Sequence, residues 1–338
     1  MTNEPDYIQL DHGSGGKIAH QLTTDLLLPM LENPLLAKLH DGAILDLGGG
    51  RTALSTDTFT VTPLFFAGGD IGDLAVNGTV NDVAMCGAKP LYLSLALIIE
   101  EGFAMADLKR ILTSIAAAAA AADVKIVTGD TKVVPKGCAD GIFINTTGIG
   151  LIPDGVCIGA DRAVPGDKIV INGAIADHAI TILTQREGLH MEADVRSDTA
   201  PLNHLVARML AASRDIHVLR DPTRGGVGTA LNENAVQSGV GIEIDEAAIA
   251  VIAAVAGACE LLVFDPLYLA NEGKLLAFVA PDAVDEVLAA MHRDPYGVQA
   301  AVIGEVVAGH PGKVFMQTLV GGSRLVGMLA GEQLPRIC

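Results

Sequence analysis

Residues 72–99 read GDLAVNGTVNDVAMCGAKPLYLSLALII, and the hydrophobic rhythm changes within them. The first part, 72–86, suits a helix. The second, 91–99, is a nearly unbroken apolar run, as expected of a strand covered on both faces. Upstream, residues 52–56 read as another strand. Downstream, 106–122 is a surer helix, because Leu108, Ile111, Leu112, Ile115 and Ala116 fall on one face. Its run of alanines reads as a close-packing stripe. Strands at 125–128 and 142–149 complete a mixed α/β unit.

The alternation resumes after Pro153-Asp154-Gly155 and Pro165-Gly166-Asp167, which bracket a boundary. A strand at 168–171 precedes helices near 176–187 and 202–212. Strands near 241–244 and 275–279, a helix at 282–291 and a strand at 301–307 follow. The expected division is an arm at 1–40, helical over 22–31, then α/β domains at 41–152 and 153–313 and a flexible tail at 314–338, strand-like after Gly312 and ending in the terminal pentapeptide. The fold class is thus α/β (α+β), with two mixed domains in tandem.

A chain of 338 residues suits two cores, since one core seldom grows past about 250–300 residues. There is no tryptophan and only 4% of residues are aromatic, so those cores must be aliphatic. Forty acidic against 22 basic residues give a net charge of −18, which argues against a nucleic-acid partner. A nucleotide remains possible where backbone amides and metal ions neutralise its phosphates. No apolar run approaches the ~20 residues of a membrane span, and residues 1–10 lack a signal-peptide pattern. The expectation is a cytoplasmic protein with no membrane partner. Five cysteines without a C-x-x-C pair imply neither a disulfide framework nor a zinc site. Cys86, Cys138, Cys157 and Cys259 read as packing.

Cys338 is different. It ends the sequence in Leu334-Pro335-Arg336-Ile337-Cys338, where Pro335 disfavours helix. A thiol on a mobile tail can accept a group and deliver it elsewhere; an accident of chain ending is the plain alternative. In Asp11-His12-Gly13-Ser14-Gly15-Gly16-Lys17, amides can converge on an anion, or the glycines can form a flexible turn. It is not a Walker A loop, because Ile18 follows the lysine. Gly48-Gly49-Gly50 precedes a strand, which excludes a dinucleotide fingerprint. Acidic motifs carry Asp57, Asp82, Asp130 with Lys132, and Asp221, and are expected at the ends of apolar strands, where an α/β sheet faces its ligand. Such oxygen donors suit Mg²⁺ with a triphosphate, though each alone is equally a turn or cap residue. Asp70 reads as a possible N-cap. Glu272, in Asn271-Glu272-Gly273-Lys274, is a candidate base or a surface turn. Among nine histidines only His12 lies in a motif, and the others receive no role.

These strings together resemble the HypE family of hydrogenase expression/formation proteins, in the superfamily of aminoimidazole ribonucleotide synthetase and selenophosphate synthetase. The strings are HGSGG at 12–16, STDTF at 55–59, PLFFAGGDIG at 63–72, NGTVNDVAMCGAKP at 77–90, VTGDTKVV at 127–134, FINTTGIG at 143–150, DPTRGG at 221–226, ANEGK at 270–274, IGEVV at 303–307 and PRIC at 335–338. PRIC is the specific mark; the acidic strings are shared more widely. The resemblance implies a homodimer paired through its N-terminal domains, with ATP and Mg²⁺ under the glycine-rich arm. It implies that the carbamoyltransferase HypF loads Cys338, that the S-carboxamide is dehydrated to an S-cyanide, and that a HypC–HypD iron scaffold accepts the cyanide. Carried over residue by residue, Asp57, Asp82, Asp130 and Asp221 hold metal. Gly13, Ser14, Gly15, Gly16, Asp57, Asn81, Thr131 and Lys132 hold nucleotide. Cys338, Lys132 and Glu272 are the catalytic set. The arm lacks the reactive cysteine of selenophosphate synthetases. Two rival readings remain: a small-molecule ATP-dependent synthetase or kinase of the same superfamily, and a non-catalytic carrier.

Overall fold

A computed structural model describes residues 6–13, 18, 21–34, 47–189, 195–329 and 336–338. Strands β1 (Arg51–Phe59), β4 (Lys89–Glu100), β5 (Lys125–Val134) and β6 (Ile142–Ile152) form a four-stranded sheet in the order β1-β6-β4-β5. Only the β4–β5 pair is parallel. A two-residue ribbon, β2 (Phe65–Phe66) with β3 (Gly69–Asp70), leads into helix α1 (Ile71–Met85). Asp70 caps α1 as expected: its carboxylate accepts from the Gly72 and Asp73 amides, and the Asp73 carboxylate accepts from the Asp70 amide. Helix α2 (Met105–Ala121) covers the same face of the sheet and buries Leu108, Ile111, Leu112 and Ile115.

The β4 pattern corrects one expectation. Leu93, Leu95, Leu97 and Ile99 are buried among the residues of α1 and α2, but the alternate residues are not covered. Ile98 is 43% exposed, and Leu54 on β1 is 70% exposed. An apolar run therefore spans a sheet with one covered face and one open face.

The second sheet has seven strands: β7 (Lys168–Ile171), β8 (Ile216–Arg220), β9 (Gly241–Asp245), β10 (Leu276–Val279), β11 (Ala301–Val307), β12 (Val314–Gln317) and β13 (Ser323–Val326). Their order is β13-β12-β9-β11-β7-β10-β8, all antiparallel except β9–β12. The sheet thus continues past residue 313, into the stretch expected as a tail. Helices α4 (Asn203–Ala212) and α7 (Val284–Met291) pack on one face, and α5 (Gly226–Ser238) on the other. Helices α3 (Asp177–Arg186) and α6 (Ala253–Leu262) pack together and add residues to the first core. Helices α5 and α6 were not expected, and β8 was expected only as an apolar strand ending at Asp221. Among the described residues, no helix is long and apolar enough to cross a membrane.

Close approach of α1 to the sheet depends on glycine in β6. A Cβ on Gly150 would lie 2.6 Å from the Lys89 carbonyl oxygen and 2.7 Å from Val83 of α1. Gly150→Ala is therefore expected to lower the unfolding free energy by about 1–3 kcal/mol, read as a lower urea midpoint at unchanged slope. Gly257→Ala is the control: in α6 with nothing within 4 Å, it should not destabilise.

Candidate active site

Helix α1 touches β1 and β6 on one side, and α4 and β8 of the second domain on the other. It thereby carries Asp82 to the domain junction. Asp82 lies in the last turn of this helix rather than at a strand end. Ser55 Oγ on β1 donates to Asp82 at 2.7 Å, and Asp82 is hydrogen bonded to Asp221, the residue after β8. Two half-buried carboxyl groups in contact favour sharing a proton. Burial, then the Asp82 charge, pushes Asp221 up to about 7, and burial also raises Asp82. Burial raises Asp57 on β1 as well; the nearby Asp82 charge adds to this and Arg224 opposes it.

Glu272 is buried at the centre of this acidic group. Desolvation raises its carboxyl well above the usual range, and the charges of Asp198, Asp221, Asp57 and Asp82 push the same way. Its Oε1 is buried without a hydrogen-bond partner. The Glu272 backbone is fixed from both sides, since its N–H donates to Asp198 Oδ1 at 3.1 Å and its carbonyl accepts from Asn81 Nδ2 at 3.3 Å. Burial works against the Asp198 charge, yet Lys274 Nζ at 2.9 Å helps hold that carboxyl below its ordinary value. Asp198 is thus a fixed negative charge beside Glu272, and it adds to the burial that pushes that carboxyl upward.

The terminal tripeptide enters this group. Cys338 O accepts from the Thr60 amide at 3.2 Å and Arg336 O from the Thr62 amide at 3.3 Å, so the tail lies along the segment that follows β1. Ile337 is 4% exposed and belongs to the first core. The Cys338 thiol lies against the Glu272 carboxyl, with Arg224 and Asp57 near it. Burial first, then Glu272, pushes this thiol far above its ordinary range, so it is protonated as seated. The direction of the tail was open from sequence; the structure turns it inward.

Asp57, Asp82, Asp221, Glu272 and Cys338 are thus brought together. Asp130, Thr131 and Lys132 are not. They lie on β5, the edge of the sheet opposite β1, three strand spacings or about 14 Å away along the sheet. Asp130 and Lys132 pair with each other at 3.3 Å, both largely exposed. Asn81, expected at the nucleotide, is 2% exposed, and its side chain is fully engaged by Ala200 O, Glu272 O and the Leu202 amide. Its place is between the domains, where it sets the Glu272 backbone. Gly13 ends a short helical turn (Leu10–Gly13); Ser14, Gly15 and Gly16 lie outside the described residues. Cys86, Cys138 and Cys157 are exposed in turns rather than packed, and Cys259 alone of the four is buried. Among the described residues no three carboxylate, histidine or cysteine side chains form a ready ion cage.

Residues 39–152 match the N-terminal domain, and 164–317 the C-terminal domain, of the AIR synthase related proteins. The carbamoyl dehydratase HypE of Azotobacter vinelandii is 53% identical, over 98% of this chain and 97% of its own. The chain belongs to the HypE family. Its relatives are named carbamoyl dehydratases and act in hydrogenase maturation, and this chain is an enzyme of that kind. A crystal structure of a HypE maturation protein in complex with ATP superposes with a TM-score of 0.94 at 52% identity, covering 97% of this chain and 99% of the other. A HypE–HypF complex superposes with a TM-score of 0.81 at 46% identity, covering 93% and 100%.

Sequence reading of this HypE-family site missed several groups. Arg224 stood inside the quoted DPTRGG string without a role. Asp198 carried no motif. His178 and Arg186, which hold the tail, are dispersed along α3 and show only once the chain is folded.

Proposed function

We propose that this HypE-family enzyme dehydrates a carbamoyl group carried on its own Cys338, using ATP. The observation that carries the reading is a thiol seated against a buried carboxyl with an unpartnered oxygen, beside the Asp57, Asp82 and Asp221 carboxyls. The amide oxygen of the S-carboxamide attacks the γ-phosphate and ADP leaves. The C–O bond of the resulting O-phosphate then breaks, releasing phosphate as the C–N bond becomes a nitrile. Two N–H bonds break in all, and the sum is thiocarbamate plus ATP giving thiocyanate, ADP, phosphate and one proton. Glu272 takes the amide proton through Oε1. Arg224 and Lys132 oppose the negative charge on the transferred group.

The donor set fits a magnesium ion. Asp82 and Asp221 hold a shared proton where a cation would relieve their repulsion, and Mg²⁺ is commonly held by one or two carboxylates plus substrate phosphates. Asp82, Asp221 and Asp57 would hold it. Bound there, it would supply positive charge against the phosphates and would offset the carboxylate charges that add to burial in raising the Glu272 carboxyl. The family resemblance assigns Gly13, Ser14, Gly15 and Gly16 of the arm to nucleotide binding.

Asp130 and Lys132 serve the same site from a second copy of the chain. The open sheet face with exposed Leu54 and Ile98, and the sheet-edge positions of β1 and β5, suit a two-fold dimer of N-terminal domains. A partner's β5 can then lie beside β1, which one chain alone cannot arrange. HypF is the carbamoyl donor, in keeping with the HypE–HypF complex of a relative, and a HypC–HypD scaffold takes the cyanide.

Intact-mass analysis tests the core of this reading. With donor and ATP–Mg²⁺, Cys338 should gain about 43 Da and then lose about 18 Da as water is removed. Cys338→Ala should show neither step. Loading without the second step in the wild-type protein refutes the dehydratase reading. Turnover of a free substrate by Cys338→Ala would favour the small-molecule synthetase.

A further inference from the structure

Helix α3 presents two side chains to the tail, and both read its backbone. His178 Nε2 lies 2.8 Å from the Ile337 carbonyl oxygen, and Arg186 Nη2 lies 2.7 Å from the Arg336 carbonyl oxygen. Arg186 also donates from Nε and Nη2 to Thr62 O at 3.0 and 2.9 Å, joining the tail to the segment that follows β1. The His178 ring is buried. A carbonyl oxygen can only accept, so Nε2 carries the proton, and Nδ1 accepts from Ser197 Oγ at 2.8 Å. Ser197 is fixed in turn: its amide donates to Ala67 O at 2.9 Å, and its Oγ accepts from the Thr199 amide. Phe66 meets the ring edge to face at 5.6 Å between centroids. The imidazole has one tautomer and one orientation, and its single N–H points at the penultimate residue of the chain.

From this geometry we infer that His178, assisted by Arg186, is the positioning residue that seats Cys338 at Glu272, and that its hydrogen bond sets the balance between seated and released tail. The clamp touches peptide carbonyls and not the sulfur. It therefore holds the thiol, the carbamoyl form and the cyano form in one register, and release depends on backbone bonds rather than on what the sulfur carries. An orphaned Ile337 carbonyl in the buried seat would weaken seating about tenfold or more.

Alkylation of the full-length protein with iodoacetamide, followed cysteine by cysteine, measures the balance directly. The free pentapeptide of residues 334–338 gives the rate of a released tail, and the ratio of the two rates is the protection of Cys338. Wild-type protein should be protected, and His178→Ala should lower the protection about tenfold. His178→Gln, which restores an amide donor, should recover part of it. Exposed Cys86, Cys138 and Cys157 should react at unchanged rates, and buried Cys259 reports on the fold. If His178→Ala exposes Cys259, Ser197→Ala and Arg186→Gln take its place, each expected to lose protection several-fold. Wild-type Cys338 reacting as fast as the peptide overturns the inference, as does full protection in the variants with Cys259 unreactive. This arm does not depend on the dehydratase reading. A second arm does: dehydration of the loaded tail should follow the seated fraction, which is one minus the reciprocal of the protection, while carbamoylation is not slowed. A variant whose protection has fallen close to one yet dehydrates at the wild-type rate would reject His178 as the positioning residue.

Discussion

Replacing Glu272 by glutamine is expected to slow loss of water from carbamoylated Cys338 by about 10²–10⁴-fold, the range spanned by a positioned base. The substitution keeps size and hydrogen-bonding shape. It removes the carboxyl hydrogen bonded to the sulfur, the group placed to take the amide proton. Asn81 and Asp198 hold the Glu272 backbone, not its side chain, so that frame survives the change. The protein should therefore fold, bind nucleotide and accept the carbamoyl group, accumulating the form heavier by about 43 Da. The measurement is a single-turnover time course by intact mass. Dehydration of Glu272→Gln at the wild-type rate would move the base elsewhere. Failure of loading would mean that Glu272 serves the thiol and not the amide.

Asp82→Asn and Lys132→Ala should each cut dehydration by at least about 10²-fold, because each disturbs the charge balance around the phosphates. Asp82 loses its hold on the cation, and Lys132 loses its own positive charge. If Lys132 acts across a dimer, each variant alone is inactive, but co-expression restores one complete site per mixed dimer. With random pairing, roughly one quarter of wild-type activity should return. No recovery would place both residues in the same chain's site and remove the reason given for the dimer. Loading should be normal in both variants, which separates this outcome from misfolding.

The regular elements were readable where one rhythm dominated. The strands at 168–171 and 301–307 stand as read, and α1 and α2 differ by a residue at the ends. Helix α5 was missed because its segment, GVGTALNENAVQS, carries two glycines and buries Asn232 and Asn234 in place of an apolar stripe. Helix α6 is short, apolar and without a side-chain cap. In β4 the pattern was right and its meaning wrong: an apolar face packed under helices and one left for another surface read alike. The acidic residues of the site stood out because a carboxylate in an apolar setting is costly unless used. Which of them meet was not legible. Asp57 and Asp82 are joined by α1 crossing β1, Asp221 by the domain junction, and Asp130 is separated by the width of a sheet. The inward seat of Cys338 rests on bonds to Thr60, Thr62, His178 and Arg186, each more than a hundred residues distant in sequence. Local pattern carries no trace of such bonds.

The seating of the last three residues against Thr60 and Thr62 has a chemical consequence. Because the reactant is covalently tethered to its own enzyme, its local concentration is fixed by chain geometry and not by supply. No binding equilibrium with bulk solution intervenes between one step and the next. The cyano group is made on a leash, and a poison of metal centres is never a free solute. The cost is one product per polypeptide per reload, so throughput follows the amount of this protein and the exchange of its tail.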